Sequence, residues 1–300
     1  MENIKIWLSA MRLRTLPLSV SGIIIGGCFG YYDGAFNWLV FFLAILLTIA
    51  LQILSNLAND YGDGVKGTDN DKRVGPERAI QSGQISEHQM LDAIRKNILI
   101  IIFLTVGLIF AAFGTKHPLY GFLFLILGGF ALYSALTYTI GDSAYGYRGR
   151  GDLYVFIFFG LVSVIGSYFL FTKQLEHFLI LPAISVGFLS VGVLNLNNMR
   201  DIQSDKMSKK ITVAVKLGKD KAKRYHIFLI LGAIVASFVF SILYFTSFWN
   251  LLVYIAYIPL ILHLKKIKVA SQPNDYDSQL KVLALTTVLF SLLLGVGYIL

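Results

Sequence analysis

The chain contains nine long apolar segments, and they constrain its fold more than any other feature of the sequence. A helix that crosses the ~30 Å hydrocarbon core of a bilayer needs roughly 20 mostly apolar residues. Charged residues make up only 14% of the 300 residues, against about 25% in a typical soluble domain. The sequence therefore predicts an all-α integral membrane protein with nine transmembrane helices. The predicted spans are 17–33, 36–57, 97–114, 119–140, 153–172, 177–197, 225–246, 249–264 and 281–299.

The order of the spans predicts one transmembrane domain, 1–300, made of two weakly similar halves, about 1–140 and 141–300. In each half, a span that ends in Asn-x-x-x-Asp precedes a long polar loop with basic residues, 58–96 and 198–224. The residues Ser86-Glu87-His88-Gln89 form the pattern of a capping box, which predicts a short helix that begins within the first loop. Long loops in compact domains are usually functional, so we expect caps over a site.

The distribution of basic residues predicts the orientation in the membrane. Of the 26 Lys and Arg residues, Lys116 and Lys173 lie on connections of one face and the others lie on the opposite face. The positive-inside rule places the basic face in the cytoplasm. We therefore expect a bacterial inner-membrane protein with the N-terminus and both long loops in the cytoplasm and the C-terminus outside.

Other features restrict the partners and the class of site. Cys28 is the single cysteine, so no disulfide forms within the chain. The five histidines are scattered without metal-ligand spacing, so a zinc site is not expected. No small-x-small cleavage site follows the first apolar stretch, which we interpret as a retained span. The bilayer is an expected partner and nucleic acid is not, and the oligomeric state stays open.

Two acidic clusters lie at the ends of predicted spans, one in each half of the chain. Carboxylates at the edge of a membrane are costly and therefore indicate a functional site. Within each cluster, helical spacing of three or four residues places amide and carboxylate side chains on one face. The first face carries Asn56, Asn59, Asp60 and Asp63, and the second carries Asn197 or Asn198, Asp201 and Asp205.

These side chains are typical ligands for Mg²⁺, which prefers oxygen and usually takes one or two carboxylates together with substrate phosphates. Two acidic faces that meet across a helix bundle are expected to hold magnesium around a diphosphate. The candidate metal ligands on these faces are Asp60, Asp63, Asp201 and Asp205. The basic residues expected to neutralise the remaining phosphate charge are Lys66, Lys72, Arg73, Arg78, Arg200, Lys209 and Lys210.

Several further stretches carry a resemblance to a known family. They are Arg14-Thr15-Leu16-Pro17, Lys66-Gly67-Thr68-Asp69, Arg73-Val74-Gly75-Pro76, Gly83-x-Ile85-Ser86, Tyr147-Arg148-Gly149-Arg150-Gly151-Asp152 and Lys210-Ile211-Thr212-Val213-Ala214-Val215. With the two clusters, they resemble the UbiA superfamily of intramembrane prenyltransferases over nearly the whole chain. Within it, the chain is similar to the branch that prenylates 1,4-dihydroxy-2-naphthoate in menaquinone synthesis.

The resemblance implies a nine-helix bundle, two aspartate-rich motifs on the cytoplasmic side, and Mg²⁺-dependent catalysis. It implies transfer of a polyprenyl group from polyprenyl diphosphate to 1,4-dihydroxy-2-naphthoate, with loss of CO₂ and diphosphate, to give demethylmenaquinol. The family spaces its first motif as Asp-x-x-Asp-x-x-x-Asp. Here Asp60 and Asp63 fit, but Gly67 holds the third position and Asp69 follows two residues later. The resemblance therefore implies Asp69 as a further candidate metal ligand.

The acceptor of this reaction is an anionic aromatic acid. Arg148 and Arg150, in a glycine-rich turn, are candidates to bind its carboxylate or, equally, phospholipids of the basic face. Tyr138 and Tyr147 are candidates to orient or deprotonate the acceptor. Together with the motif aspartates Asp60, Asp63, Asp201 and Asp205, the expected catalytic residues are Arg148, Tyr147 and Tyr138. The amide residues expected to contact substrate are Asn56, Asn59, Asn197 and Asn198.

Two alternative functions stay open at this point. A related enzyme of the same superfamily could use another aromatic acceptor, such as 4-hydroxybenzoate or homogentisate. A cation-coupled transporter also places carboxylates in the membrane, although near the midplane and in broken helices. The length of the isoprenoid tail and the number of magnesium ions do not follow from the sequence.

Overall fold

The computed structural model describes residues 2–13, 15–68 and 78–300, and within these ranges it contains helices and no strands. The all-α prediction is therefore confirmed. The helices are α1 Glu2–Ala10, α2 Leu16–Tyr32, α3 Trp38–Val65, α4 Glu87–Phe113, α5 Pro118–Thr137, α6 Gly151–Thr172, α7 His177–Arg200, α8 Ile202–Met207, α9 Val213–Leu217, α10 Lys219–Leu243, α11 Phe248–Val269 and α12 Pro273–Ile299.

Eight of these helices, α3 to α7 and α10 to α12, are long and apolar enough to cross a membrane. Helix α2 has the composition of a span but is shorter, and its two segments, Leu16–Ser19 and Ser21–Tyr32, meet at Val20. The count of nine spans therefore stays a prediction. Helix α11 is longer than the predicted segment 249–264 because it continues to Val269, and its first turns, Phe248–Ala256, are wound as a 3₁₀ helix.

The capping box at Ser86 is confirmed, but the helix that it starts is not short. The Ser86 hydroxyl accepts a 3.3 Å hydrogen bond from the Gln89 backbone N–H, and the Gln89 side-chain oxygen accepts one of 2.9 Å from the Ser86 N–H. The same helix, α4, continues to Phe113. Buried Met90 and Ile94 lie one turn apart and pack against α3, so the apolar face of the span begins well before residue 97.

Helix α7 forms the centre of the bundle and α5 its periphery. In the apolar stretch of α7, 72% of the residues are buried, whereas only 6% are buried in that of α5. Close contact at α7 depends on small residues, because a Cβ atom added to Gly160 of α6 would lie 2.7 Å from the Ala183 carbonyl oxygen. Such small-residue contacts let helix backbones approach inside membranes. The outer helix α5 leaves space behind it for a cavity.

Two histidines that the sequence leaves unconnected meet in the bundle interior. The Nε2 atoms of His226 on α10 and His263 on α11 are 2.8 Å apart, and His263 Nδ1 lies 3.0 Å from the Gln279 side-chain oxygen on α12. Both imidazoles are almost fully buried. The three side chains form a polar link between three spans.

Candidate active site

A cavity of about 340 Å³ begins where the two acidic motifs meet and continues between the spans. Its lining on α3 extends from Asp63 back to Ala44, which is about 28 Å of helix at ~1.5 Å per residue. The polar end is lined by Arg12, Asn56, Asn59, Asp63, Arg78, Asn197 and Lys210. The far end is apolar, with Ala44, Leu108, Phe124 and Leu170 in its wall. The shape and lining suit a molecule with an anionic head and a long apolar tail.

Asp63 lies at the centre of the polar end, which we call the mouth. Its Oδ2 atom accepts a 3.0 Å hydrogen bond from the Lys210 ammonium, and its Oδ1 accepts one of 2.8 Å from the Tyr147 hydroxyl. The Arg78 guanidinium is 3.8 Å from Oδ2. The carboxylate is buried, so these partners balance a charge that is costly to remove from water. Three distant segments therefore converge on one predicted metal ligand, and both motifs lie on the same face of the bundle.

The charge states around Asp63 follow from burial and from neighbouring charges. Burial by itself would lower the pKa of Lys210. The negative charges of Asp63 and Asp205 raise this pKa by more than burial lowers it, so the net pKa is above its ordinary value. Lys210 is therefore a cation at neutral pH. Burial, with a smaller contribution from Asp63, raises the pKa of Tyr147. Tyr147 is therefore a protonated phenol and acts as a donor at neutral pH.

The rest of the first motif shares the helical face that the sequence predicts. Helix α3 continues through the motif to Val65. Asp60 is buried, and its Oδ2 accepts a 3.3 Å hydrogen bond from the Ala79 N–H, which ties the first loop to α3. The Asn56 amide donates to the Met11 carbonyl over 2.9 Å, and Asn59 Oδ1 accepts a 3.3 Å hydrogen bond from Thr139. Asn56, Asn59 and Asp63 line the cavity, whereas Asp60 is not among the lining residues.

The second motif crosses a helix break. Helix α7 ends at Arg200 and α8 starts at Ile202, but the Asp201 N–H bonds to the Asn197 carbonyl and the Asp205 N–H to the Asp201 carbonyl. These i to i−4 bonds keep the predicted spacing. Asn197 lines the cavity, whereas Asp201 and Asp205 are not among the lining residues. Asn198, Asp201 and Asp205 are all buried.

Arg200 holds the second motif in place. Its Nε and NH2 atoms bind the two oxygens of Asp201 over 2.8 and 2.6 Å. The same guanidinium binds Asp277 of α12, and its NH2 donates over 2.8 Å to Asn197 Oδ1. The sequence predicts that Arg200 neutralises phosphate. The structure instead engages its side chain, which is fully buried, with residues of the protein.

Several predicted binding residues lie away from the cavity wall. Lys66 donates to the carbonyls of Thr139 and Gly141 over 2.7 and 2.8 Å, and its ammonium lies 4.4 Å from the ring centre of Tyr147. Arg148 donates to Ser143 Oγ over 3.1 Å. Arg148, Arg150 and Lys209 are exposed. The predicted residues Asp69, Lys72 and Arg73, and Arg14 of the first resembling stretch, lie outside the described residues.

The cavity also contains functional candidates that the sequence did not single out. Arg12, counted only for orientation, lines the mouth and has a left-handed backbone with φ 52°. Such a conformation costs on the order of 1 kcal/mol in a non-glycine residue and is often found at functional sites. Tyr145 and Tyr154 stack with ring centres 4.0 Å apart, and predicted Tyr138 meets Tyr145 edge-on at 5.3 Å. The sequence contained one signal for these residues. Arg12 lies close in the sequence to Arg14-Thr15-Leu16-Pro17, and Tyr145 and Tyr154 lie close in the sequence to Tyr147.

The donor set at the mouth fits a metal held jointly with a phosphorylated ligand. Among the described residues, no three His, Cys, Asp or Glu side chains are close enough to hold a metal by themselves. Mg²⁺ usually keeps several waters and takes one or two carboxylates plus substrate phosphates. Asp63 presents a carboxylate to the cavity beside the cations Arg78 and Lys210. That arrangement suits a magnesium diphosphate better than a metal bound by protein alone.

Comparison with known proteins agrees with this geometry. The family model described as the UbiA prenyltransferase family matches residues 19–294. The chain belongs to the UbiA prenyltransferase family. It is 43% identical over 250 residues to the 1,4-dihydroxy-2-naphthoate octaprenyltransferase of Escherichia coli (strain K12), covering 83% of this chain and 80% of the relative. The enzyme of the same name from Haemophilus influenzae is 38% identical over 298 residues, covering 99% and 96%.

Solved structures of the UbiA family share the fold. The UbiA homologue from Archaeoglobus fulgidus bound to DMAPP and Mg²⁺ superposes with a TM-score of 0.65 at 13% identity, and the match covers 97% of this chain and 99% of that protein. At this identity the likeness shows the fold alone. The present UbiA chain is a membrane-embedded prenyltransferase, and the resemblance found in its motifs is confirmed.

Proposed function

We propose that this prenyltransferase moves a polyprenyl group from polyprenyl diphosphate to 1,4-dihydroxy-2-naphthoate, with loss of CO₂ and diphosphate, to give demethylmenaquinol. The observation that carries the proposal is the cavity, which has a cationic mouth around Asp63, an apolar far end and a lining that extends about 28 Å along α3. The naphthoate acceptor is supported by the names of the two bacterial relatives and by the resembling stretches.

The mouth binds the diphosphate of the donor. Lys210, Arg78 and Arg12 provide positive charge in a largely buried site, and charge-assisted hydrogen bonds to phosphate are strong. Magnesium bound through the motif carboxylates supplies Lewis-acid stabilisation of the leaving diphosphate. The allylic C–O bond breaks, and both of its electrons leave with the diphosphate. Preorganised positive charge stabilises this step because the mouth need not rearrange when the leaving group becomes more negative.

Three tyrosine side chains, which we call the tyrosine stack, surround the carbon that becomes cationic. Tyr138, Tyr145 and Tyr154 line the cavity next to its polar end. The faces of aromatic rings attract cations, and this attraction is stronger where water is excluded. The stack therefore stabilises the allylic cation and keeps away water, which would otherwise capture it.

The acceptor completes the reaction without a base. The electron-rich ring carbon that bears the carboxylate attacks the allylic cation, and a C–C bond forms. The bond from that carbon to the carboxylate then breaks, and its electron pair restores the aromatic ring as CO₂ leaves. No proton is removed at this carbon, so this step requires no base. Arg148 and Arg150, which are exposed, are proposed to attract the acceptor carboxylate at the surface before the acceptor enters the cavity.

A direct assay tests the proposal. Membranes that contain the protein are incubated with magnesium, a radiolabelled prenyl diphosphate and one of three acids, 1,4-dihydroxy-2-naphthoate, 4-hydroxybenzoate or homogentisate. We expect prenylation of the naphthoate, with release of labelled CO₂ when its carboxyl carbon is labelled. Transfer to 4-hydroxybenzoate but not to the naphthoate would overturn the acceptor.

A further inference from the structure

One wall of the cavity has a gap near its far end. Helix α6 contributes a stripe of every fourth residue to the lining, namely Tyr154, Phe158, Val162, Gly166 and Leu170. The segment Phe156–Gly166 is wound as a π-helix, a rare form that is frequent at functional sites. Four residues of the stripe carry side chains and Gly166 does not. The wall therefore recedes at Gly166.

Neither backbone conformation nor packing requires a glycine at this position. Gly166 has φ −64° and ψ −42°, which any L-residue adopts. A Cβ atom added there meets Val162 Cγ1 at 3.8 Å, an ordinary contact, and no nearer atom. By contrast, Gly160 of the same helix lies against the backbone of α7 and cannot accept a side chain without movement. The missing side chain at Gly166 provides space in the cavity.

An aromatic cluster lies beside the cavity one turn beyond Gly166. Phe124, in the cavity lining, stacks on Phe169 with ring centres 5.7 Å apart. Phe113 and Tyr120 pack against the same rings at 5.1 Å each. We call these four residues the aromatic floor. Along α6, Gly166 lies at most about 18 Å from Tyr154 at ~1.5 Å per residue, on the mouth side of the floor.

We propose that Gly166 and the aromatic floor set the length of isoprenoid tail that the cavity encloses, an inference that rests on the proposed function. A tail whose diphosphate lies at Asp63 extends along the stripe of α6. A short tail, such as geranyl, ends on the mouth side of Gly166. A long tail must pass Gly166, where a side chain would occupy its path. The residue therefore determines donor specificity without touching the reacting carbon.

The experiment compares donors of increasing length on matched variants. Gly166→Leu narrows the passage, and Gly166→Ala narrows it less. Gly129→Leu is the control, because Gly129 is exposed on α5, lies outside the cavity lining and has no atom within 4 Å of an added Cβ. For each variant, kcat/KM is measured with geranyl, farnesyl, geranylgeranyl and octaprenyl diphosphate and 1,4-dihydroxy-2-naphthoate.

The quantity that decides is the ratio of kcat/KM for octaprenyl to that for geranyl diphosphate. We expect it to fall about tenfold or more in Gly166→Leu, since added methylenes in a filled apolar pocket change specificity by that order. The fall should be smaller in Gly166→Ala, and Gly129→Leu should keep the wild-type ratio. A wild-type ratio in Gly166→Leu would overturn the proposal, since the tail would then leave sideways before Gly166. If Gly166→Leu does not fold, Gly166→Ala decides the question: a lower ratio than in the wild type would support the proposal, and a wild-type ratio would overturn it.

Failure of the acceptor assignment gives a different result. If the wild-type protein prenylates no naphthoate with any donor, the proposed function fails, but tail preference is still measured by displacement of labelled geranyl diphosphate without acceptor. Loss of long-donor binding in Gly166→Leu alone would support the role of Gly166 in that case. Equal displacement in all variants would reject it.

Discussion

Lys210 donates a 3.0 Å hydrogen bond from its ammonium to Asp63 Oδ2, across 147 positions of the sequence. This contact joins the loop after the second acidic motif to the end of the first. It places a cation and a carboxylate side by side at the mouth of a cavity that suits a prenyl diphosphate. Under the proposed function, a magnesium diphosphate that enters the mouth would offer Asp63 a metal and Lys210 a phosphate.

Replacing Lys210 tests its role in binding the diphosphate. We expect Lys210→Met to lower kcat/KM for the donor about 100-fold or more, the order found when a preorganised charge donor is removed from an active site. Steady-state kinetics with varied prenyl diphosphate measures the effect. Lys206→Met is the matched control, because Lys206 is exposed and outside the cavity lining. Equal losses in both variants would show that the effect comes from the overall positive charge of this loop and not from a contact between Lys210 and the diphosphate.

The hydroxyl of Tyr147 is expected to position Asp63. Tyr147→Phe removes the 2.8 Å hydrogen bond to Asp63 and the 2.6 Å contact with Thr68 but keeps the ring beside the ammonium of Lys66. A hydrogen bond to a charged group contributes about 1.5 kcal/mol or more, so we expect roughly a 10-fold loss of kcat/KM. The loss should come with a higher magnesium requirement. Tyr133→Phe, on the exposed face of α5, should behave as wild type.

The motif carboxylates are expected to bind magnesium with the diphosphate. Chelation with EDTA should abolish transfer, and added Mg²⁺ should restore it. Asp60→Asn, Asp63→Asn, Asp201→Asn and Asp205→Asn should each lose nearly all transfer, because amide oxygens carry no net charge toward the metal. Titration of activity with Mg²⁺ measures the change. Asp92→Asn alters an exposed pair with Arg95 and serves as the control. Wild-type activity of Asp63→Asn without added metal would contradict the assignment.

Arg200 should act mainly through stability. Its buried guanidinium binds Asp201, Asp277 and Asn197, so Arg200→Ala leaves carboxylates without their cation. Breaking a buried ion pair on one side typically costs about 3–5 kcal/mol. We expect a clearly lower Tm in detergent, measured by thermal unfolding. Arg95→Ala, which removes an exposed surface pair, should leave Tm nearly unchanged. If Arg200→Ala keeps the wild-type Tm, the contacts of Arg200 with these three residues do not stabilise the fold.

The basic face should lie in the cytoplasm. A reporter fused after Leu300 is expected to show the activity of an external location, and one fused after Ser208 that of a cytoplasmic location, because Lys and Arg remain inside. Alkaline phosphatase and green fluorescent protein fusions report the two locations with opposite signals. A cytoplasmic C-terminus would contradict the prediction of nine spans.

Much of the site can be read from the sequence because its first motif lies on a regular helix. The spacing predicts that Asn56, Asn59, Asp60 and Asp63 share a face of α3. Asn56, Asn59 and Asp63 line the cavity, and Asp60 is not among its lining residues. The arrangement of the second motif is harder to predict from the sequence, because α7 ends at Arg200 and the chain turns before Asp205. In loops the spacing of residues does not set the direction of their side chains. Lys209 and Lys210 are neighbours, yet Lys209 is exposed and Lys210 is buried against Asp63.

By itself, the sequence determined the properties that depend on neighbours along the chain. These are the membrane class, the approximate spans, the capping box at Ser86 and the aspartate faces, because hydropathy and helical periodicity act over a few turns. Only the tertiary structure decided which distant side chains meet. It brought Arg12 to the mouth, joined His226 to His263, continued α4 from Ser86 into the membrane and left Gly166 open to the cavity. Such contacts depend on the packing of whole helices, which no local pattern records.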